Sequence, residues 1–322
     1  MSSKVKKITL VLGAGASYAV GYPVGTGLRN KICELATPAR EYIALPAGLL
    51  SFEGGILHNF VNAFRKSQMF SIDAFLARRP EYVNIGKMAI ATILLEIENE
   101  NHLLTTDHTD HWYRYFYNKF ASESWDHLDF SNISIITFNY DRSLEKFLHS
   151  SIKESYGKSD AEAAEKLDTL KIIHVYGSLG SPITGKPDYL SYGGEVSDDK
   201  VKIAANSLRV IPEGRDDDKA LEIAREMLSN ADRIAFLGFG FDETNVARLH
   251  PEQTCKKIMK DSTFIKNRQI FATCKGLTAA ESMKAFKLLG QDLVEYHAPT
   301  MDPPGFHSSN CLKMLRETLL LD

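Results

Sequence analysis

Several common signatures are missing from this chain, and each absence narrows its function. No C-x-x-C pair occurs. Cys33, Cys255, Cys274 and Cys311 stand far apart, which excludes a zinc ribbon and leaves a disulfide framework without support. They read as four separate reduced thiols of a cytosolic protein. No G-K-[ST] triplet occurs, so there is no P-loop. No segment approaches the length of a membrane-spanning apolar helix. Lys4, Lys6 and Lys7 before ITLVL imitate a signal peptide, but Gly13 and Gly15 break the apolar run and no A-x-A site follows. A cytoplasmic protein without a membrane partner is expected. The net charge of -3 gives no basic surplus to attract nucleic acid. HWYRYFYNKF at 111–120 sets aromatics around Arg114 and Lys119, and ordinary helix packing explains it better than RNA or DNA contact. His102, His108 and His111 with Asp107 and Asp110 match no defined metal geometry, so no metal is expected.

What is present is an α/β rhythm. Residues 8–12 are a short apolar run suited to a buried parallel strand, ending in Gly13-Ala14-Gly15-Ala16-Ser17, where small residues permit a sharp turn. A helix is expected over 28–35, with Thr37-Pro38 ending it. Residues 39–129 show helical spacing throughout and no strand, as in ILHNFVNAFRKSQ, SIDAFLARR and VNIGKMAIATILLEIENE. Strands are expected at 133–138, 171–176, 233–237, 269–273 and 293–296. Helices are expected at 142–149 (with Asp141 as cap), 160–167, 219–230, 278–289 and 308–321. Residues 180–219, rich in Gly, Pro, Asp and Ser, read as an irregular, mobile flap. The expectation is one domain over 1–322. It comprises a doubly wound, parallel, Rossmann-like sheet from 1–38 and 130–322, with a helical insertion at 39–129.

Functional groups of such sheets gather at the carboxyl ends of the strands. Four motifs lie there. Gly13 to Ser17 forms a glycine turn, which is either a phosphate cradle or a plain turn. A dehydrogenase fingerprint would need glycine at position 18, where Tyr18 stands, and an acid ending a second strand, whereas Glu34 falls in a helix. Hydride transfer is therefore disfavoured. Asn139 and Asp141 follow the second strand within TFNYD. His174 lies in HVYGS, just before Gly177. Gly238, Phe239 and Gly240 follow the fourth strand within LGFGF, with Asn245 beyond. Taken singly, each has an ordinary structural explanation as a turn, a cap or a core histidine.

In this order, GAGAS with Gly21 and Pro23, TFNYD, HVYGS and LGFGF with Asn245 resemble the sirtuin superfamily. The resemblance is closer to the sirtuin-like NAD+-consuming domains of bacterial antiviral defence systems. It covers residues 5–30 and 130–250 and leaves out the helical insertion. It implies that Gly13, Ala14, Gly15, Ala16 and Ser17 wrap the pyrophosphate, and that Asn139 and His174 are the catalytic pair beside the nicotinamide ribose. Asp141 would support the pocket, and Gly238, Phe239 and Asn245 would hold the adenosine half. Pro23, Gly177 and Gly240 belong to the same cofactor-binding motifs. Two departures from protein deacylases stand out: the four-cysteine zinc module is absent, and Val24-Gly25 replaces the Phe-Arg that follows G-x-P. No zinc is expected.

The implied activity is NAD+ glycohydrolysis to ADP-ribose and nicotinamide, with NAD+ as substrate. An amide such as Asn139 can hold ribose hydroxyls or water without titrating. A histidine with an ordinary pKa near 6.5 can take the proton. An NAD-dependent deacylase and a non-catalytic NAD+ or ADP-ribose sensor are the alternatives. An unregulated hydrolase would poison its cell, so control by homo-oligomerisation or by a separate regulatory protein is expected.

Overall fold

The central strand of the sheet is β1 (Ile8–Leu12), in which every residue is buried. That position explains its apolar run, and its one polar residue is accounted for. Thr9 pairs with the Ser134 hydroxyl at 2.8 Å and donates to the Met227 carbonyl at 3.2 Å. In this computed structural model the described residues are 6–36, 55–105, 110–210, 218–255, 270–289 and 306–321. They form a sheet with β2 (Ile133–Thr137), β3 (Lys171–His174), β4 (Arg233–Leu237), β5 (Ile270–Thr273) and β6 (Phe306–His307), in the order β3-β2-β1-β4-β5-β6. All pairings are parallel. This is the strand order of the doubly wound dinucleotide-binding sheet, with its switch point between β1 and β4.

The register aligns the exits of the strands. Leu12 lies opposite Thr137 on one side and Leu237 on the other, and Thr137 lies opposite His174. The glycine turn, Asn139 and Gly238 therefore emerge along one edge.

Between β1 and β2 every described helix or strand is helical: α1 (Gly25–Glu34), α2 (Ile56–Ser67), α3 (Ile72–Leu76), α4 (Val83–Ile97), α5 (Glu100–Thr105) and α6 (Trp112–Phe120). α4 is buried along most of its length, from Ile85 to Leu95. Gly86 makes room for Leu76, since a methyl group there would lie 2.8 Å from that side chain. Phe60, Phe64, Phe75 and the α4 side chains share one hydrophobic core with the sheet. The remaining helices are α7 (Ser143–Tyr156), α8 (Asp160–Leu167), α9 (Asp198–Ser207), α10 (Lys219–Ser229), α11 (Glu243–Leu249), α12 (Ala279–Leu288) and α13 (Cys311–Thr318).

Three expectations change. Within the stretch 180–219, residues 181–197 are irregular as expected, but α9 occupies 198–207, capped by Ser197 and burying Val201, Ala204 and Ala205, and residues 211–217 lie outside the described residues. The segment before α9 is tied down by a buried ion pair. Arg142 donates to both Glu98 oxygens at 2.7 and 2.9 Å and also to the carbonyls of Gly180, Leu190 and Ser191. Glu98 in turn accepts from the Gly193 N–H at 3.0 Å. The helix after the glycine turn begins at Gly25, after two 3-10 turns at Ala14–Ala16 and Tyr18–Val20. The strand expected at 293–296 lies outside the described residues, whereas Phe306–His307 forms a short strand where none was expected. No described helix is long and apolar enough to cross a membrane.

Candidate functional site

The glycines of the β1 turn serve first to let two loops interlock. A methyl group on Gly13 would lie 2.6 Å from the Gly238 carbonyl, and one on Gly15 would lie 2.8 Å from Gly238 Cα. Gly238 itself has φ +57, and its methyl would fall 2.1 Å from the Ala16 nitrogen. Backbone hydrogen bonds complete the fit: Gly13 N–H donates to Leu237 O and Gly15 N–H to Gly238 O, both at 3.0 Å. Ala16 and Ser17 N–H groups donate within the turn. Four of the five amides expected to wrap a pyrophosphate are thus already engaged. The open donors lie one element later. Leu28 N–H is the first of α1 to find an intrahelical acceptor, Val24 O, and no side chain caps the helix. Gly25, Thr26 and Gly27 therefore present the N–H groups and positive dipole end that an anion needs.

Two cavities meet at this point. The larger, of about 740 Å³, is walled by the β1 turn, the start of α1, the Gly238–Gly240 backbone, Thr273 to Leu277 beyond β5, and the start of α13. The smaller, of about 120 Å³, is walled by Pro23, Asp73, Phe138, Asn139, Tyr140 and Asp141 among others. Ala14, Gly25 and Ser71 line both.

Asn139 is buried on the wall of the smaller cavity. Its Nδ2 donates to Gly13 O at 3.0 Å and to Ser17 Oγ at 3.1 Å. The Gly13 carbonyl can only accept, so the amide nitrogen faces it and Oδ1 is left open to the cavity. Ser17 also receives the Tyr113 hydroxyl at 3.3 Å. Tyr113 reaches Ser143 Oγ at 2.8 Å, and Ser143 donates to Asp141 Oδ1 at 2.5 Å. Asp141 additionally accepts the Ser143 N–H at 3.2 Å, but it stands one residue before the cap position of α7, which Arg142 occupies without a side-chain cap, so the expected capping role is not the one it fills. Burial pushes its carboxyl above the usual range, against the hydrogen bonds from Ser143 and Ser17.

His174 lies next to Asn139 but does not line either cavity. Its Nδ1 is 2.8 Å from the backbone carbonyl of Asn139 and its Nε2 is 2.5 Å from Glu145 Oε1. Both partners are acceptors, so the ring satisfies both only by carrying two protons. Burial lowers its pKa, but Glu145 and the Asn139 carbonyl outweigh that and raise it above the ordinary value. This corrects the expected placement: His174 supports Asn139 from behind instead of facing the cavity.

The other expected residues divide similarly. Ala14, Gly15, Ala16, Gly238, Phe239 and Gly240 line the larger cavity, and Pro23 the smaller. Gly13 and Ser17 lie behind these walls. Gly177, at φ +70, packs against the end of α9, with a methyl placed 2.1 Å from Ser207 O. Asn245 accepts the Tyr176 hydroxyl at 2.7 Å and lines neither cavity, so it is not placed to read an adenosine there.

Sequence reasoning missed the contributions of the helical segment. Trp112 donates to Ala16 O at 2.7 Å and fixes the glycine turn. Ser71 and Asp73 bring α3 to the cavity wall. The only local signal was Ser71 as a helix cap, which accepts from the Asp73 and Ala74 N–H groups. Lys275 and Thr273 follow from the rule about strand ends. Among the described residues no group of three His, Cys, Asp or Glu is placed to hold a metal. His108 and Asp107 lie outside them. All four cysteines are buried free thiols, with Cys255 and Cys311 pushed up to about 12 by burial.

No protein-family model matches the chain, and no curated protein is significantly similar to it.

Proposed function

We propose that the chain binds NAD+ across the two joined cavities and hydrolyses the bond between nicotinamide and its ribose. The observation that carries this reading is the opposite polarity of the cavities. The smaller holds Asp73 and Asp141, with no lysine or arginine on its wall. The larger holds the open N-terminus of α1 and Lys275, which makes no ion pair with a described residue, while its Asp110 is bonded to Asn310 at 2.6 Å. NAD+ has the same polarity, a cationic pyridinium at one end of an anionic pyrophosphate. A cavity of about 120 Å³ suits a single pyridine carboxamide ring.

The pyridinium is a good leaving group, so the site's work is to hold the ribose and stabilise an oxocarbenium-like state. The carboxylates of the smaller cavity favour positive charge there. Asn139 Oδ1 accepts from a ribose hydroxyl or from water. His174 positions Asn139. NAD+ and water give ADP-ribose, nicotinamide and one proton. The resemblance to antiviral sirtuin-like domains supports an effector that depletes NAD+ under control in trans, by oligomerisation or by a regulatory protein.

The double engagement of His174 favours a second reading, a module that binds NAD+ without consuming it. One assay separates the two. Nicotinamide release from NAD+ is measured for wild type, Asn139→Ala and His174→Ala, with calorimetric binding in parallel. Hydrolysis predicts release by wild type and a loss on the order of 10²–10³-fold in Asn139→Ala, the scale for removing one preorganised hydrogen-bonding group. Full release by both folded variants would remove the site from consideration, and binding without release would establish the sensor.

A further inference from the structure

Water attack on the ribose carbon sets free a proton, and the residue expected to take it does not face the cavity. His174 stands behind Asn139 with both nitrogens directed at acceptors. Asp141 is on the wall, but its Oδ1 takes both the N–H and the hydroxyl of Ser143, with the Ser17 hydroxyl adding to the same carboxylate. Asp73 differs from both. It shares the wall of the smaller cavity with Asn139. Its Oδ1 accepts the Tyr140 hydroxyl at 2.8 Å, which sets the carboxylate's orientation, and no other described side chain donates to the carboxylate. Its backbone is equally fixed, because Ser71 caps α3 through the Asp73 and Ala74 N–H groups while Ile72 and Phe75 anchor the helix in the core.

We propose that Asp73 is the general base that activates water in this site, an inference that rests on the NAD+ reading above. The carbon–nitrogen bond breaks and its electron pair leaves on nicotinamide, which departs neutral. Water then enters the vacated niche and donates to Asn139 Oδ1 and Asp73 Oδ2. Its oxygen bonds to the ribose carbon on the face that nicotinamide left. Its proton passes to Asp73 and from there to solvent. The groups acting on Asp73 suit this task. Burial raises its carboxyl above the ordinary range, the Tyr140 hydrogen bond and its own backbone N–H oppose that, and Asp242 adds to it. The Tyr176 phenol senses the same carboxylate, and Asp141 and Tyr22 stand on the shared cavity wall. A carboxylate with a raised pKa accepts a proton more readily than an exposed one.

The test uses two reactions that differ only in the need for a base. Exchange of labelled nicotinamide into NAD+ reverses the bond cleavage and needs none, whereas hydrolysis does. Asp73→Asn keeps an acceptor for Tyr140, and is expected to lower hydrolysis about 10²–10⁴-fold while exchange persists. The acid limb of the wild-type pH–kcat profile should disappear in the same variant. Asp73→Ala should regain turnover with azide, which attacks without deprotonation and yields the ADP-ribosyl azide. Equal loss of exchange and hydrolysis, or unchanged hydrolysis, overturns the base assignment while leaving the NAD+ reading in place. A wild-type chain that carries out neither reaction overturns both.

Discussion

His174 shows how little a residue's identity says about its role until its partners are known. A histidine within an apolar strand is usually a satisfied core residue, and its place three residues before a glycine exit is what allows a base. In the structure an acceptor faces each nitrogen, Asn139 O and Glu145 Oε1. Asn139 stood out only as part of TFNYD within the ordered set of motifs, since an amide just past a strand is by itself an ordinary turn or cap residue; its place on the cavity wall follows from the strand register. Asp73 did not stand out, because a carboxylate inside SIDAF looks like any first-turn helix residue and its partner Tyr140 is distant in sequence. The His174 arrangement has a pH signature. Its pKa is raised in the folded chain, so its contribution to stability is complete below the unfolded value near 6.5 and is lost as pH rises through the folded value. The gap in melting temperature between wild type and His174→Gln should therefore be widest in acid and close as pH rises. A gap that widens with pH would mean the ring is neutral in the fold.

Elements were legible where burial imposes a pattern. β1, β4 and α8 run over the expected residues, because a central strand must be apolar and Ser159 with Glu162 forms a capping box at the start of α8. α9 escaped notice because DDKVKIAANS begins with two acids and buries a lysine, Lys200, beside Val201, Ala204 and Ala205, so its sequence lacks an apolar stripe. Its approach segment was misread as mobile because the ion pair that holds it joins distant residues. Removing one partner of a buried pair leaves an unpaired charge, so Arg142→Ala should cost about 3–5 kcal/mol and lower the midpoint of chemical denaturation accordingly. The loop interlock predicts a comparable sensitivity at Gly238. Gly238→Ala adds a left-handed backbone penalty to a steric clash and should destabilise by at least 1–3 kcal/mol in a thermal melt. Gly240→Ala, where nothing lies within 4 Å of the added methyl, should be nearly silent and serves as the comparison.

At the scale of the whole molecule, the doubly wound sheet was legible because strands alternate with helices at regular spacing. The course of the candidate site was not, since its acidic end is built jointly by the loop after β2 and a helix that belongs to neither half of the sheet. That end should distinguish charge. NAD+ at saturating concentration should raise the melting temperature more than NADH, whose dihydropyridine ring is neutral, while ADP-ribose should stabilise without this discrimination. Equal shifts from NAD+ and NADH would count against a cation-selective niche. The contact of the β1 and β4 turns has a further consequence for how the chain can vary over generations. Positions 13, 15 and 238 belong to opposite halves of the sheet, yet each occupies the space that a side chain on another would need. They should be inherited as one locus: among natural variants, a larger residue at any of them should appear only with a displaced or shortened partner turn.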